Sequence, residues 1–252
     1  MKTNYGVDAP GLVRAFLLTA IALFLVSAFV FSFAVPQWSW PSWIAFVWLV
    51  PAMYAFGMFC LMLWESLVTK IKSREAILDL VPWTGAETVL DVGCGRGLML
   101  VGAARRLTTG KAIGVDIWLK RDQTCNNRTA PLKNAKIEGV AGRVSVETAD
   151  MRKLPFADCS VDVIVSSWAV HNLEASDDRV LALKEMVRVL RPEGTILLTD
   201  IVNRKEYIAE LKRMGLGSVA LFIESKIKDW FLTAVSFGAY QPATVIGKKA
   251  SD

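Results

Sequence analysis

The stretch "VLDVGCGRGL", residues 89–98, decides how this chain is read. An apolar run ends in Asp91, glycines follow at 93, 95 and 97, and an apolar, helix-like segment begins at Leu98. Strand, glycine turn, helix is the arrangement by which a doubly wound sheet binds a nucleotide at the carboxyl ends of its strands. Gly93, Gly95 and Gly97 remove the side chains that would keep a ligand off the backbone, and the helix N-terminus that follows favours negative charge. The spacing departs from the dinucleotide fingerprint G-x-G-x-x-G, because Leu98 holds the sixth position and the last glycine comes one place early. Taken alone, the loop is also compatible with a tight strand-to-helix turn that binds nothing.

Working outward, strand and helix patterns alternate. Strands are expected at "TVLDV", "AIGVD", "RVSVETAD", "VDVIVSS" and "TILLTDIV". Helices are expected over Leu98–Leu107, Lys120 to about Gly139, Asp177–Leu190 and Arg204–Met214, with an amphipathic helix over Glu65–Leu80 stopped by Pro82. Continuous apolar strands separated by helices indicate a parallel sheet covered on both faces, an α/β doubly wound fold. Near the C-terminus "SVALFIE" and "ATVIGKK" read as further strands. The run "DWFLTAVSF" between them is too short to span a membrane. It reads as a buried edge segment, with a substrate mouth or a bilayer contact as the other options.

Acids stand where such a sheet would present them. Asp116 ends "GVDIW", about 20 residues beyond the glycine loop, where a carboxylate accepts two hydrogen bonds from a ribose diol. Asp150 ends the third strand in "TADM", at a rim where an adenine amino group needs an acceptor.

"VLDVGCGRG", "GVDIW", "ADMRKLPFAD", "VDVIVSSWAVHNL" and "EMVRVLRPEGTILLTD" together resemble the successive motifs of class I S-adenosylmethionine-dependent methyltransferases. The likeness is to the branch containing the quinone-biosynthesis C-methyltransferases, and it covers residues 74–202 well and the C-terminal part loosely. The resemblance implies a Rossmann-like, mostly parallel sheet of seven strands whose last strand, "ATVIGKK", is reversed. It implies that Asp91 and the backbone of Gly93, Cys94, Gly95 and Gly97 hold the methionine part of S-adenosyl-L-methionine. Asp116 would take the ribose hydroxyls, Ile117 would pack on the adenine, Asp150 and Met151 would bind its edge, and Ser167 would lie beside the methionine part. The sequence departs from the family at "RPEG", where Glu193 replaces a usual glycine, and in its N-terminal region, from which many relatives build a lid.

That N-terminal region accounts for most of the hydrophobic content of 53%. From Ala15 to Trp64 there is no Asp, Glu, Lys or Arg. Residues 15–35 and 44–64 are apolar stretches that would each run about 31 Å as helices, against a hydrocarbon core about 30 Å thick. Between them "PQWSWPSW" carries Trp38, Trp40 and Trp43, and indoles favour the headgroup level. Lys2 and Arg14 flank the first stretch and Lys70, Lys72 and Arg74 follow the second, so the positive-inside bias places both ends in the cytoplasm. A cleaved signal peptide fits poorly, since the apolar region is too long and another follows at once. A hairpin buried in a soluble protein is the remaining alternative. The expected organisation is a cytosolic segment over residues 1–14, a transmembrane hairpin over 15–64, and a catalytic domain over 65–252.

Other residues carry weaker signals. His171, the only histidine, stands beyond the fourth strand and is a candidate general base or a structural hydrogen-bonding residue. Trp168 and Asn172 are candidates for the acceptor pocket, with packing as the alternative. Tyr5 and Asp8 precede the first apolar stretch and are candidates to fold over the site and touch substrate, or belong to a disordered start. Cys60, Cys94, Cys125 and Cys159 are scattered without metal-ligand spacing, so no metal is expected, and a cytosolic setting favours free thiols. The net charge of +5 is modest and suits anionic lipid better than nucleic acid.

The sequence thus reads as a membrane-anchored methyltransferase acting on a lipophilic small molecule at the bilayer. A silent membrane recruitment module is a second class, opposed by the intact acids Asp91, Asp116 and Asp150. A nicotinamide-dependent oxidoreductase is a third, opposed by Leu98. Oligomeric state and acceptor atom leave no trace in the sequence.

Overall fold

The computed structural model describes residues 3–34, 37, 41, 43–119 and 123–251. Lys2, Trp38, Trp40 and Lys120 lie outside the described residues. The chain divides into two compact units: Gly6–Lys70 with Lys120–Thr124, and Met1–Tyr5 with Ile71–Leu119 and Cys125–Asp252.

The first unit is a pair of helices. Helix α1, Pro10–Phe29, starts on a proline whose fixed φ suits a first helical turn, and runs on through a π-helical turn at Val30–Ala34. Helix α2, Trp43–Trp64, contains Pro51. The two pack through small residues: Ala20 and Ser27 of α1 and Ala45, Ala52 and Ala55 of α2 are buried, and Ser27 Oγ donates to the Ala45 carbonyl at 2.9 Å. Phe24, Phe29, Phe46, Trp48, Met53 and Phe56 are exposed. A water-soluble helix pair buries its large apolar side chains, whereas helices packed within lipid meet through small ones and face outward with large ones. Two helical stretches, Pro10–Phe33 and Trp43–Leu78, are long and apolar enough to cross a membrane by length and composition.

No Pro or Gly stands between Trp64 and Leu78, and the helical backbone runs on past the boundary expected near Glu65. A π-helical turn at Glu65–Thr69 leads directly into α3, Lys70–Leu78, and the division between units falls after Lys70.

The second unit is built on seven strands: β1 (Thr88–Val92), β2 (Lys111–Asp116), β3 (Val144–Thr148), β4 (Val161–Ser167), β5 (Leu190–Asp200), β6 (Leu216–Phe222) and β7 (Ala243–Lys249). Their order is β3-β2-β1-β4-β5-β7-β6. Strands β1 to β5 are mutually parallel, and β7 enters antiparallel between β5 and β6. Helices α4 (Leu98–Ala104), α5 (Thr129–Ile137), α6 (Ser176–Val189) and α7 (Arg204–Arg213) flank the sheet. One apolar core gathers Leu90, Ile164, Leu183, Met186 and Ile196, and the other gathers Leu78, Val89, Leu100, Val163 and Val165. Successive residues of β1 and β4 point to opposite faces and are largely buried on both, which is why these strands are mostly apolar.

Two expectations are corrected. The helix expected from Lys120 begins only at Thr129, because the Asn127 side chain accepts from the N–H groups of Thr129 and Ala130 at 3.0 and 3.1 Å and caps it there. The segment "DWFLTAVSF" is no buried edge: most of it forms helix α8, Lys226–Val235, whose apolar side chains are largely exposed.

Candidate active site

The order of the parallel strands reverses between β1 and β4, and the carboxyl ends of these strands form the crevice where open α/β sheets bind ligands. The glycine loop lies on one side of it. Gly93, Gly95 and Gly97 have φ values of 75°, 48° and 80°, a left-handed backbone that glycine adopts without cost. The glycines at 93 and 97 do not open space for a ligand. A Cβ on Gly93 would lie 2.2 Å from the Ala169 Cβ, and one on Gly97 would lie 2.7 Å from the Pro131 Cβ. They let the loop close against β4 and α5.

The loop's donors are spent as well. Gly93 and Cys94 both donate to the Val115 carbonyl, at 2.8 and 3.0 Å, and Gly97 donates to the Cys94 carbonyl at 2.7 Å. Gly95 N–H donates to Asp116 Oδ2 at 2.8 Å. The start of α4 is filled by the chain itself, since Leu100 N–H donates to Asp91 Oδ2 at 2.8 Å. Asp91 is buried, and that burial pushes its carboxyl up to about 8, with the nearby Asp116 charge adding and the Leu100 bond opposing. These bonds take up the N–H groups of Gly93, Cys94, Gly95, Gly97 and Leu100, and the rim presents the carboxyls of Asp91 and Asp116. Such carboxyls suit an ammonium and hydroxyl groups.

The sulfur of Cys94 packs where Gly114 leaves room, and burial pushes its thiol well up from the ordinary range, so it is no nucleophile. Asp116 Oδ1 accepts from the Trp118 N–H and, at 3.4 Å, from Asn126 Nδ2. Asn126 was not singled out in the sequence. Its Nδ2 also donates to the Leu119 carbonyl, which fixes the amide orientation, and its buried Oδ1 has no hydrogen-bond partner among the described residues. An orphaned buried acceptor beside Asp116 fits a ligand that brings a hydroxyl. Ile117, half-exposed at the same rim, offers an apolar surface. Asp150 is held by Arg152, whose guanidinium lies 2.6 Å away and keeps the carboxyl below its usual range. The methyl group of Met151 lies toward Gly93, within 3.7 Å of a Cβ built there.

On the far side of the crevice β4 ends at Ser167, and Trp168 takes a left-handed φ of 55° while its N–H donates to the Thr199 carbonyl at 2.9 Å. A bulky residue in that conformation is strained, and such strain concentrates at functional sites. Trp168 meets Tyr240 edge-on at 5.9 Å. The turn Val170–Asn172 then presents His171 and Asn172. His171 Nδ1 lies 2.5 Å from Asp200 Oδ1, and its backbone N–H donates to Asp200 Oδ2 at 3.1 Å. Asp200, at the end of β5, also accepts from the Tyr207 hydroxyl at 2.9 Å and the Ile201 N–H at 2.8 Å. A carboxylate only accepts, so the imidazole proton sits on Nδ1 and Nε2 carries the lone pair. A histidine whose second nitrogen is held by a buried carboxylate is the arrangement of an oriented general base. Asp200 and Tyr207 were missed because an acid at a strand end and a tyrosine on a helix have no local signature.

Tyr5 and Asp8 fall in different units. Tyr5 is buried, its hydroxyl 2.5 Å from Glu138 Oε1 and 3.2 Å from Arg74 Nη1. Asp8 is ion-paired with Lys70 at 2.7 Å and accepts from Gln123 at 2.9 Å. Among the described residues no group of His, Cys, Asp or Glu is arranged to hold a metal ion.

Comparison with known proteins agrees with this geometry. Residues 90–198, from β1 to β5, match the family described as a methyltransferase domain. The chain is 34% identical over 134 residues to methyltransferase GfsG of Streptomyces halstedii, covering 53% of this chain and 44% of that protein. It is 31% identical over 134 residues to the demethylmenaquinone methyltransferase of Roseiflexus castenholzii, covering 53% of this chain and 50% of that one. The chain thus spans about half the length of the curated relatives it matches. A geranyl diphosphate methyltransferase solved with S-adenosylmethionine superposes with a TM-score of 0.57 at 18% identity, over 77% of this chain and 91% of the other. The sheet order is that of the class I, Rossmann-like methyltransferase fold, and residues 90–198 within it match a methyltransferase domain.

Proposed function

We propose that this chain is a membrane-anchored methyltransferase that moves the methyl group of S-adenosylmethionine onto a lipophilic acceptor bearing a removable proton. The observation that carries this reading is the His171–Asp200 pair, on the same carboxyl-end rim as Asp91 and Asp116. When bound, S-adenosylmethionine supplies an activated methyl group on a sulfonium. The chain's part is to hold the two reactants and move one proton. Asp91 and the loop carbonyls suit the cationic amino-acid part, Asp116 with Asn126 suits the ribose hydroxyls, and Ile117 with Asp150 and Met151 suits the adenine. His171 Nε2 takes the acceptor's proton while Asp200 stabilises the imidazolium that results. Trp168 with Tyr240 forms an aromatic wall for the acceptor.

The lipophilic acceptor is supported by the helix pair, whose outward large apolar side chains suit lipid. A bilayer concentrates a hydrophobic acceptor beside a tethered enzyme. Quinone-ring precursors are one candidate class, supported by the likeness to a demethylmenaquinone methyltransferase, and phenolic or amine-bearing lipids are others. The cytosolic placement rests on the positive-inside bias after α2. That bias comes down to Lys70 and Lys72, because Arg74 is buried.

The test uses the protein in nanodiscs with methyl-labelled S-adenosylmethionine and a total lipid extract of the source cells. Label in an organic-phase product, lost in His171→Asn, supports the proposal. Failure of folded protein to bind S-adenosylhomocysteine overturns it. Binding without transfer to any extract points to the silent recruitment module instead.

A further inference from the structure

Helix α8 is amphipathic in the inverted sense. Ile227, Trp230, Phe231 and Ala234 recur at the i, i+3, i+4, i+7 spacing that makes one helical face, and all four are exposed. Ile227 is 80% exposed and Trp230 71%, and Phe237, just past the helix, reaches 88%. The opposite face is anchored to the domain: Leu232 is buried, and Asp229 pairs with Arg204 of α7 at 3.5 Å. The Ser225 side chain caps the first turn by accepting from Lys228 N–H at 3.3 Å. Asp229 is paired with Arg204, and the exposed Lys226 opens the helix. A helix showing a tryptophan, a phenylalanine and an isoleucine outward, beside a lysine, has the make-up of an interfacial membrane helix.

Its position bears on the site. After α8 the chain returns through Tyr240, which packs on Trp168, and Gln241, whose N–H donates to the Ile201 carbonyl at 3.0 Å. Ile201 follows Asp200 directly. The apolar face therefore belongs to the same short connection that supplies the aromatic wall beside His171.

We infer that α8 is a docking helix whose exposed face lies in the headgroup region of an anionic bilayer, bringing the acceptor end of the pocket to the lipid surface. This rests on the reading that the chain is membrane-anchored, and it adds a contact that the helix pair alone does not supply. Charge and shape favour this occupant: the exposed Lys226 at the helix start complements phosphate headgroups, and the indole of Trp230 suits the boundary between headgroups and acyl chains.

The experiment places an environment-sensitive fluorophore on full-length protein in nanodiscs of mixed phosphatidylglycerol and phosphatidylcholine. The exposed Cys60, Cys125 and Cys159 are first changed to Ala, and buried Cys94 is left. Label is attached at Ile227→Cys, at Trp230→Cys, and at Leu181→Cys as an exposed control on α6. Binding of S-adenosylhomocysteine by each variant verifies folding. Blue-shifted emission at 227 and 230, quenched by spin-labelled lipid, with neither effect at 181, supports the inference. Adding Lys226→Glu should then reduce the quenching. Unquenched emission at 227 and 230 overturns it, and so does a blue shift that grows with protein concentration but ignores spin-labelled lipid, which marks self-association. Methyl transfer is read separately on the unlabelled protein. Transfer to an organic-phase product without quenching removes this inference alone, and quenching without transfer removes the proposed activity alone.

Discussion

Asp200 holds His171 at two points, the ring Nδ1 at 2.5 Å and the backbone N–H at 3.1 Å, so both the tautomer and the tilt of the imidazole are set from the end of β5. If His171 is the base, His171→Asn should lower turnover by about 10²- to 10⁴-fold while S-adenosylhomocysteine affinity stays unchanged. Asp200→Asn should lower turnover in the same direction, because an amide can present its NH₂ to Nδ1 and favour the wrong tautomer. Tyr207→Phe removes one of several bonds to Asp200 and should cost far less. Radiometric turnover alongside calorimetric binding separates these effects. Full activity in His171→Asn would assign the histidine to structure alone.

Asp91 is predicted to make both stability and cofactor binding depend on pH. Its folded-state value, pushed up to about 8 by burial, lies above its value in the unfolded chain. Between about pH 4 and 8 the folded state therefore holds a proton that the unfolded state has lost, and ligand-free stability falls as pH rises through that window. A cationic amino group arriving beside Asp91 favours the carboxylate, so binding should release a proton. Affinity should then rise toward pH 8, by no more than about tenfold per pH unit. Calorimetry in buffers of different ionisation enthalpy measures the proton directly. Asp91→Asn should abolish the release and flatten the melting temperature of the ligand-free protein across the window.

The glycine loop was legible because it compresses strand, turn and helix into one stretch, and the reversed strand at "ATVIGKK" was legible through the resemblance. The sequence hid what the glycines are for. Their missing side chains admit Ala169 and Pro131, residues far along the chain, so only the folded structure shows that the space is already taken. The same holds for Asp200, which becomes a candidate partner only when β4 and β5 end side by side. The run "DWFLTAVSF" misled for a different reason. Its apolar stripe has helical spacing, but periodicity says which residues share a face and not whether that face meets the core.

Glu193 was visible as a departure from the family's glycine, and its φ of 61° explains why glycine is usual there. A non-glycine residue in that region costs about 1 kcal/mol or somewhat more. Glu193→Gly should therefore raise stability to denaturant, offset in part by the greater freedom glycine gives the unfolded chain. Urea unfolding of the protein in detergent would measure it, and turnover should not change. A drop in midpoint would mean that the Glu193 side chain makes a compensating contact.

Asn126 offers a test of the ribose position. Its buried Oδ1 lacks a partner beside Asp116, and a ligand hydroxyl donated to it would remove that deficit. Asn126→Ala should weaken S-adenosylhomocysteine by up to about tenfold, the worth of one or two net hydrogen bonds. A 2′-deoxy and a 3′-deoxy analogue should identify the hydroxyl, since the analogue lacking it should bind wild type and variant alike. Equal loss for both analogues and the parent would place Asn126 in scaffold rather than site.

Arg74 should prove the most sensitive position in the scaffold. Its side chain is almost wholly buried across Gly102, where an added Cβ would lie 2.5 Å from Arg74 Cδ. It pairs with Glu75 at 2.5 Å and with Glu138 at 3.4 Å, and Tyr5 closes the network through its hydroxyl. Removing Arg74 empties a buried volume and leaves Glu138 with Arg105 and Glu75 with Arg106 as their remaining cations, at a cost of about 2–5 kcal/mol. Arg74→Ala should therefore unfold the domain or lower its melting temperature severely. Arg74→Met with Glu138→Leu, which removes both charges, should recover much of the loss. Tyr5→Phe takes away only a hydroxyl and should cost about 1–2 kcal/mol. A melting series on these variants decides whether the N-terminal segment is held by this network. If Tyr5→Phe left stability unchanged yet lowered turnover, Tyr5 would belong to the substrate site instead.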